Sequence, residues 1–565
     1  MSETIKETIC EEAIYSEEYE DYIFEYYRKE NKIKTVCSQN IDKTTQILYV
    51  PIKGESTVSH YEYGYQTVPK LYGLMDISSV EEVGALKVRR QPYLSLFGEG
   101  TLIGIVDTGI DYTHKAFIKE DGTTKITGIW DQTNREGTPP EDFIFGTYYS
   151  QEMINEALQA ENPQTIVPEM DEVGHGTFLA GIAAGNIEEK DNFTGVAPQA
   201  ELVIVKLKQA KQNLKQYYCI KEEDIAYSDA DIMLGVWHLL EEARKRVKPI
   251  AVLIALGSNN GNHCGYLPLS KFIGREAPKP GVAIVLAAGN EGNKGNHYEK
   301  KVLDVKESHE AELRIGEKQR GLYFEVWVEA PGLASIELIS PLGETTERIS
   351  LVNSGMKPIR FPLEKTQIYV EYDLVEINAR SELIFVRMLD PTPGIWRLRI
   401  KNEDDFKTRF NIWLPIENFL DGETYFLDPE PNITVCEPGN VPLSMTITAY
   451  DHYNDSLYLS ASRGYNNNGY IKPDLAAPGV NVYGPLPNNR YGRMSGTSVA
   501  AAHGTGCAAL MLEWGIVKKN DPYMQTIRIT NYFMRGARRK ERVYPNREWG
   551  YGEIDLFKVF QELRI

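Results

Sequence analysis

The chain has 565 residues, of which 42% are hydrophobic and 25% are charged, and its formal net charge is −19 at pH 7. This length is too great for one hydrophobic core, so two to four domains are expected. The negative charge argues against nucleic acid or an anionic membrane as the main partner. No apolar run reaches the roughly 18 residues of a transmembrane helix. The acidic N-terminus lacks the basic and then apolar order of a secretory signal, which predicts a cytosolic protein.

The first 93 residues are predicted to form a small α+β unit. Its acidic, tyrosine-rich segment 13–27 is predicted to be helical, and 46–51 to be a strand. A short helical piece is expected at 78–84. The segment 86–92 is predicted to be extended, because its last residue is a proline, which disfavours helix in the residue before it. A binding module and an inhibitory propeptide both fit such a unit.

A larger domain begins with a continuous apolar run at 102–106, which is typical of a strand buried on both faces of a parallel sheet. Asp107 follows directly. Open α/β sheets place their sites at the carboxyl ends of such strands, although an Asx turn would explain the aspartate equally well. His175 begins a predicted helix of small residues and lies between two glycines, which leave room beside the ring. A buried structural histidine is the alternative.

Strands and helices then alternate with short turns. Strands are predicted at 201–207, 250–256 and 282–287, and an amphipathic helix at 229–246. The last of these strands leads into Asn290. This alternation predicts a doubly wound α/β fold with a mostly parallel sheet.

Residues 298–428 have a different pattern. Alternating runs such as 322–328 and 395–400 are broken by turn residues, and helix signals are scarce. They predict an all-β sandwich inserted into the α/β domain, with a jelly-roll order preferred and an immunoglobulin-like order left open. The predicted domain boundaries are therefore 1–93, 94–297, 298–428 and 429–565.

Six cysteines are scattered along the chain, at Cys10, Cys37, Cys219, Cys264, Cys436 and Cys507. None forms a C-x-x-C pair, and no Cys/His cluster has the spacing of a zinc site. All six are expected to be reduced and structural. The sequence predicts no cofactor and assigns no metal site.

The last motif is Gly496-Thr497-Ser498, at the start of a predicted helix that reaches about residue 514. A hydroxyl there lies near unpaired backbone N–H groups and the positive end of the helix dipole, which favour a developing negative charge. The motif alone is explained more simply as a helix N-cap. A nucleophile would also need a base, an orienting carboxylate and an oxyanion donor.

Four motifs together support the nucleophile. They are Val106-Asp107-Thr108-Gly109, Gly174-His175-Gly176-Thr177, Ala287-Ala288-Gly289-Asn290 and Gly496-Thr497-Ser498. Aspartate, histidine and serine in this order are a known arrangement of the serine-peptidase triad. On these motifs the chain resembles the subtilases, the subtilisin-like serine peptidases, over about 95–297 and 429–565.

The resemblance implies a role for each residue. Ser498 would attack the scissile carbonyl, His175 would act as base and then as acid, and Asp107 would orient and stabilise the imidazole. The Asn290 side chain would donate to the oxyanion, together with the backbone N–H of the serine. The substrate cleft would be lined by residues that pair with the peptide backbone as strands, namely Leu256, Gly257, Ala287, Ala288 and Gly289.

The helix of the serine departs from the family pattern. Ala502 stands where many subtilases have proline, and Gly504 where they have valine, so looser packing behind the nucleophile is expected. His503 matches a common histidine of this helix and is expected to be structural.

The N-terminal unit, the absence of a secretory signal and the inserted sandwich resemble more narrowly the Csp subtilases, the germination proteases of spore-forming clostridia. Segments 68–72 and 91–96 fit the same resemblance. It implies that the unit is a propeptide that assists folding, is cut by the enzyme itself and stays in the cleft. We place the cut between Lys87 and Leu96, where the chain is predicted to be extended.

By the same resemblance, the protein substrate would be the precursor of a cortex-lytic enzyme. The protein itself would be found in the cytosol of the forming spore or associated with the spore. All three triad residues are present, so an active enzyme is expected. A catalytically silent sensor or scaffold and a general degradative subtilase are the alternatives.

Overall fold

The computed structural model describes residues 10, 13–16, 18–25, 37–42, 44–52, 64, 66–74, 79, 82–188, 192–352, 355–376 and 378–563. In the N-terminal unit the strands are β1 (Tyr19–Glu25), β2 (Cys37–Asn40), β3 (Thr45–Pro51) and β4 (Leu71–Leu74). The first three form an antiparallel sheet in the order β1-β3-β2, and β4 lies apart from it. The predicted strand at 46–51 is confirmed. Of the predicted helical piece at 78–84, residues 79 and 82–84 are described, and they form no helix: 82–84 are a turn. The other three residues lie outside the described part of the chain.

The predicted helix at 13–27 is wrong beyond its first turn, because the chain enters β1 at Tyr19. Tyr22 and Ile23 are buried in this strand. Aromatic and β-branched side chains favour strands, and pairing along the whole of β3 outweighs a helical preference that is only a weak prior.

Cys10 and Cys37 form a disulfide, with their Cα atoms 5.0 Å apart. The expectation that all six cysteines are reduced is therefore wrong for this pair, because the fold brings together two sulfur atoms that are 27 residues apart in the chain. The other four cysteines are free, and Cys264, Cys436 and Cys507 are buried.

The α/β domain begins with elements on both sides of a central sheet. In chain order they are α1 (Ala85–Arg89), β5 (Leu102–Asp107), β6 (Ile126–Asp131), β7 (Thr147–Ser150), α2 (Gln151–Gln159), α3 (His175–Ala184), β8 (Glu201–Lys206), α4 (Gln212–Tyr217), β9 (Tyr227–Ser228), α5 (Asp229–Arg246), β10 (Ile250–Ile254), β11 (Leu256–Gly257), α6 (Pro268–Glu276) and β12 (Val282–Ala287).

From residue 297 to residue 426 the described secondary structure consists of strands and a short 3-10 helix at Glu417–Phe419. The strands are β13 (His297–Leu303), β14 (Ser308–Ile315), β15 (Gly321–Val328), β16 (Ala334–Ile339), β17 (Gly355–Arg360), β18 (Gln367–Glu376), β19 (Ser381–Leu389), β20 (Gly394–Asn402), β21 (Thr408–Trp413) and β22 (Tyr425–Phe426). The described strands form two sheets, ordered β13-β21-β15-β19-β18-β17 and β16-β20-β14-β22. Side chains of both sheets share one apolar core, as in a sandwich. The jelly-roll order stays a prediction.

The α/β domain then resumes. Its remaining elements are β23 (Met445–Asp451), β24 (Ser456–Leu457), β25 (Leu475–Pro478), β26 (Val482–Leu486), β27 (Arg490–Met494), α7 (Thr497–Leu512), α8 (Thr526–Gly536) and α9 (Leu556–Glu562).

The central sheet has the order β24-β23-β12-β10-β5-β8-β6-β7, with β25 also beside β23. Its inner pairs are parallel and only the outer strands β24 and β7 are antiparallel. Helices α3 and α7 pack in one apolar core and α5 and α6 in another, on opposite faces of the sheet. The predicted doubly wound, mostly parallel α/β fold is confirmed. Within the described residues, no helix is both long and apolar enough to cross a membrane.

The prediction that 86–92 is extended is wrong, because this segment begins in the helix α1. A proline restricts mainly the residue directly before it, which leaves residues 85–89 free to be helical. Ala85 and Val88 are buried in the α/β core. The Arg89 guanidinium donates to the carbonyl of Val196 at 2.7 Å and to Thr194 Oγ1 at 3.0 Å. The segment is therefore part of the α/β domain.

Candidate active site

The aspartate and histidine of the predicted triad are in contact. Asp107 is the last residue of β5, and His175 is the first residue of α3. The Nδ1 atom of His175 lies 2.8 Å from Oδ1 of Asp107, and both side chains are buried. The same Oδ1 accepts the backbone N–H of Thr108 at 2.8 Å. A carboxylate beside Nδ1 fixes the neutral imidazole as its Nδ1–H tautomer, which leaves the basic lone pair on Nε2.

The glycines on either side of His175 are required by close packing. Gly174 has a φ of +87°, in the left-handed region that favours glycine. A Cβ on Gly176 would lie 2.2 Å from the carbonyl oxygen of Gly109. These residues allow the start of α3 to approach the end of β5, so that the imidazole reaches the carboxylate.

Asp171 holds this arrangement together, and the sequence analysis did not single it out. One carboxylate oxygen accepts the backbone N–H of Gly174 and the hydroxyl of Thr108, each at 2.8 Å. The other accepts the backbone N–H and the hydroxyl of Thr177, at 2.8 and 2.7 Å. Asp171 thus caps α3 and ties it to the loop after β5. An aspartate shortly before a helix start is the sequence signal that could have indicated this role.

The serine and asparagine motifs also meet. Ser498 is the second residue of α7, is buried, and has its Oγ 3.5 Å from the carbonyl oxygen of Ala255. The backbone N–H and the hydroxyl of Thr497 both donate to Asn290 Oδ1, at 3.1 and 3.2 Å. A backbone N–H can only donate, so the amide oxygen must face Thr497. The Nδ2 group of Asn290 is therefore turned the other way, as a donor.

These groups share one edge of the sheet. Asp107 is the last residue of β5, Ala255 directly follows β10, and Asn290 comes three residues after β12. These three strands are adjacent and parallel, so their carboxyl ends meet at one edge of the sheet. The N-terminus of α7 and Ser498 lie at the same edge, because Thr497 binds Asn290. An acyl-transfer site needs a nucleophile, a base, a carboxylate that orients the base, and an amide donor. Side chains of all four kinds lie at this edge of the sheet.

A strand of the N-terminal unit occupies the adjoining cleft. β4 lies between β11 and β9 and is antiparallel to both. Leu74 pairs with Leu256 and Gly73 with Gly257, directly after Ala255. The two residues of β11 therefore do pair with an extended chain, and that chain is the protein's own.

The other predicted cleft residues are placed differently. Ala287 pairs with Ile447 of β23, and the backbone N–H of Ala288 donates to the Ile447 carbonyl at 3.0 Å. The Gly289 carbonyl accepts the backbone N–H of Ser462 at 2.9 Å. These backbone groups are already paired inside the domain, so they are not free to pair with a substrate strand. That the three residues line the substrate cleft stays a prediction. They form a fixed support beneath Asn290.

The departures in the serine helix do not loosen it. A Cβ on Gly504 would lie 3.0 Å from Cγ1 of Ile447, so the glycine allows α7 to pack closely on the sheet. Ala502 is fully buried. His503 is also buried, and its Nδ1 lies 2.7 Å from the Val499 carbonyl oxygen. Burial lowers the pKa of His503 to about 3, so this ring is neutral, as a structural histidine should be.

A buried glutamate, Glu437, holds the chain that directly follows β11. The carboxylate of Glu437 accepts the backbone N–H of Gly265 at 2.8 Å and the hydroxyl of Ser270 at 2.6 Å. Its backbone pairs in both directions with Ser258, the residue after β11. Burial, only partly offset by these hydrogen bonds, raises the pKa of Glu437 from 4.5 to about 7.

Replacing Glu437 with glutamine is expected to flatten the pH dependence of stability. A carboxyl whose pKa is raised by folding contributes stability below pH 4.5 that is lost as the pH rises through about 7. The shift corresponds to at most about 3 kcal/mol. Urea unfolding of both proteins at several pH values between 4 and 8 measures the difference. Parallel stability curves for the two proteins would show that Glu437 ionises as freely in the folded chain as in the unfolded one.

Within the described parts of the chain, no group of three or more histidine, cysteine, aspartate or glutamate side chains is arranged to hold a metal ion.

The profile of the Subtilase family matches residues 98–307 and 427–552, which is more than half of the chain. The protein therefore belongs to the subtilase family of serine peptidases. Its fold is similar to that of the CspB protease of Clostridium perfringens, with a TM-score of 0.76 and 32% identity over 86% of this chain and 97% of that chain.

Other relatives are longer proteinases. The PII-type proteinase of Lacticaseibacillus paracasei is 24% identical over 529 residues, which cover 84% of this chain and 25% of that protein. The minor extracellular protease Vpr of Bacillus subtilis strain 168 is 21% identical over 484 residues, which cover 83% of this chain and 52% of that protein. The chain thus spans about a quarter and about half of these two relatives.

Proposed function

We propose that the protein is an active serine endopeptidase with Asp107, His175 and Ser498 as its catalytic triad. The 2.8 Å contact between His175 and Asp107, at the sheet edge where Ser498 lies in the first turn of α7, is the observation that carries this proposal. A silent scaffold would need neither that contact nor the oriented amide of Asn290.

In this mechanism Nε2 of His175 takes the hydroxyl proton of Ser498 as Oγ attacks the scissile carbonyl carbon. Nδ2 of Asn290 and the backbone N–H of Ser498 stabilise the oxyanion. The imidazolium, stabilised by Asp107, then gives its proton to the leaving amine. Water releases the acyl group by the same steps, with His175 again as the base.

A fluorophosphonate probe tests for an activated serine. We expect it to label folded protein on Ser498 and not to label heat-denatured protein or the Ser498→Ala variant. The exposed Ser456→Ala variant is the matched control and should be labelled like the wild type. A folded wild type that neither takes the label nor cuts its own chain would support the silent scaffold instead.

We propose further that the N-terminal unit is a propeptide that the enzyme cuts and then retains. The support is β4, which pairs with β11 as a bound peptide would, directly after Ala255, whose carbonyl oxygen lies 3.5 Å from Ser498 Oγ. Leu74, the last described residue of this strand, pairs with Leu256, the residue after Ala255. We therefore assign the cut to the bond after the next residue of the chain, Met75–Asp76. Met75 itself lies outside the described residues. This assignment replaces the cut between Lys87 and Leu96. Helix α1 at its start packs in the α/β core, and the carbonyls of Leu94 and Ser95 accept hydrogen bonds from Lys518, beyond the end of α7 that is opposite Ser498.

N-terminal sequencing of the purified protein tests the assigned bond. We expect a second chain that starts at Asp76 and elutes with the propeptide in size exclusion. A start between Lys87 and Leu96, or starts at Met1 or Ser2 alone, would refute the assignment.

Replacing Asn290 with aspartate is expected to slow self-cleavage by about 10²–10³-fold, because the oxyanion loses a preorganised donor. Aspartate keeps an oxygen for the two hydrogen bonds from Thr497, so α7 should remain in place. The first-order rate of self-cleavage after cell-free synthesis measures the effect. Cleavage of this variant at the wild-type rate would exclude Asn290 as the donor.

The physiological substrate that we propose is the precursor of a cortex-lytic enzyme, cut during germination of a spore. The likeness to the CspB protease supports this. Purified protein should convert such a precursor to one shorter product while leaving casein largely intact, and the Ser498→Ala variant should cut neither protein. Extensive casein degradation with no preference for the precursor would favour a general degradative subtilase.

A further inference from the structure

Lys70, directly before β4, is fully buried although it carries an ammonium group. Its backbone N–H donates to Oδ1 of Asp229 at 3.0 Å, and the backbone N–H of Asp229 donates back to the Lys70 carbonyl at 3.0 Å. Leu71 then pairs with Ser228 of β9. Lys70 is thus the continuation of the strand that fills the cleft, held on the side away from Ser498.

Three carboxylates act on the buried ammonium group. Those of Asp229, Glu325 and Glu376 favour its charged form, against a desolvation that lowers the pKa of Lys70 to about 8. The ammonium also donates to the carbonyl of Val68. A buried charge is tolerated only where opposite charges and hydrogen bonds offset its loss of water, and here the opposite charges belong to the rest of the enzyme.

The carboxylates are positioned by groups other than the lysine. Glu325 accepts hydrogen bonds from Asn260 Nδ2, the backbone N–H of Gly261 and Trp327 Nε1, at 2.7, 2.8 and 2.9 Å. Its partners come from the α/β domain and from β15 of the sandwich. The pocket around Glu325 is therefore built across the boundary between the two.

The other two carboxylates that favour the charged form of Lys70 are also buried. Glu376, at the end of β18, accepts the backbone N–H groups of Asn378 and Ala379 at 3.1 and 2.6 Å. Asp229 begins α5, and its Oδ2 atom is buried without a hydrogen-bond partner among the described residues. An unsatisfied buried carboxylate oxygen is costly, and a cation in the pocket reduces that cost.

We propose that Asp229, Glu325 and Glu376 form a substrate subsite that selects a lysine five positions before the residue whose carbonyl is attacked. The subsite rests on the proposed self-cleaving function, since β4 and Lys70 then represent the bound product. A neutral side chain there leaves buried carboxylates unpaired, and an acidic one adds repulsion. The inserted sandwich thereby contributes to specificity through Glu325 and Glu376.

Self-cleavage of the full chain after cell-free synthesis tests this subsite. Lys70→Met keeps the length of the side chain without its charge and is expected to slow cleavage at least about tenfold, and Lys70→Glu at least about 100-fold. The exposed Lys87→Met variant is the matched control and should be cleaved at the wild-type rate. Circular dichroism and soluble yield report whether each variant folds.

A double-variant cycle separates recognition from folding. In a Glu325→Gln background the penalty of Lys70→Met should shrink several-fold, because the two groups interact. Cleavage of Lys70→Met at the wild-type rate would overturn the subsite. An equal penalty in both backgrounds would also overturn it, as an effect of folding alone. A wild-type chain that is never cleaved would refute the proposed function, and the subsite with it.

Discussion

Replacing His175 with alanine is expected to reduce self-cleavage to background, a loss of about 10⁶-fold. The imidazole contacts the Asp107 carboxylate at 2.8 Å and is the base that the mechanism requires to deprotonate Ser498. Without it the hydroxyl remains a weak nucleophile, because its proton has no acceptor. The fraction of full-length chain after cell-free synthesis measures the effect.

A double variant provides the control for this prediction. Because base and nucleophile act as a unit, His175→Ala with Ser498→Ala should be no slower than either single variant. Losses that add on a logarithmic scale would mean that the two residues work independently, and the triad assignment would fail.

Replacing Asp107 with asparagine is expected to slow self-cleavage about 10⁴-fold. Its Oδ1 atom accepts both His175 Nδ1–H and the Thr108 backbone N–H, so it fixes the ring and its tautomer. An asparagine oxygen at that position would lack the negative charge that stabilises the imidazolium. An amide NH₂ there would force the wrong tautomer. The self-cleavage rate at neutral pH is again the measurement.

Asp111→Asn is the matched control, since this half-buried carboxylate accepts hydrogen bonds from Thr113 and the backbone N–H of Asn488. It should be cleaved at close to the wild-type rate. If Asp107→Asn were cleaved as fast as this control, Asp107 would have no catalytic role.

The features that the sequence predicts well are local. A five-residue apolar run identifies β5. The glycines around His175 indicate a close approach of two backbones, and the structure shows it: a Cβ on Gly176 would lie only 2.2 Å from the carbonyl oxygen of Gly109. Helix α5 has the predicted bounds, 229–246, because its apolar residues keep a regular period.

The features that it misses depend on tertiary contacts. An aspartate before a helix start can predict that Asp171 caps α3, but the sequence does not show that the same carboxylate also accepts the hydroxyl of Thr108 in the loop after β5. Strand β4 has only four residues, and its place between β9 and β11 depends on residues more than 150 positions away. The Cys10–Cys37 disulfide likewise follows from how the N-terminal unit folds, not from the spacing of the two residues.

The most direct test of the account is the intact mass of the purified wild type beside its Ser498→Ala variant. The account predicts two fragments from the wild type, with masses that meet at the Met75–Asp76 bond, and one full-length chain from the variant. Full-length chains from both proteins would contradict a self-cleaving peptidase. Identical fragments from both would mean that another protease makes the cut.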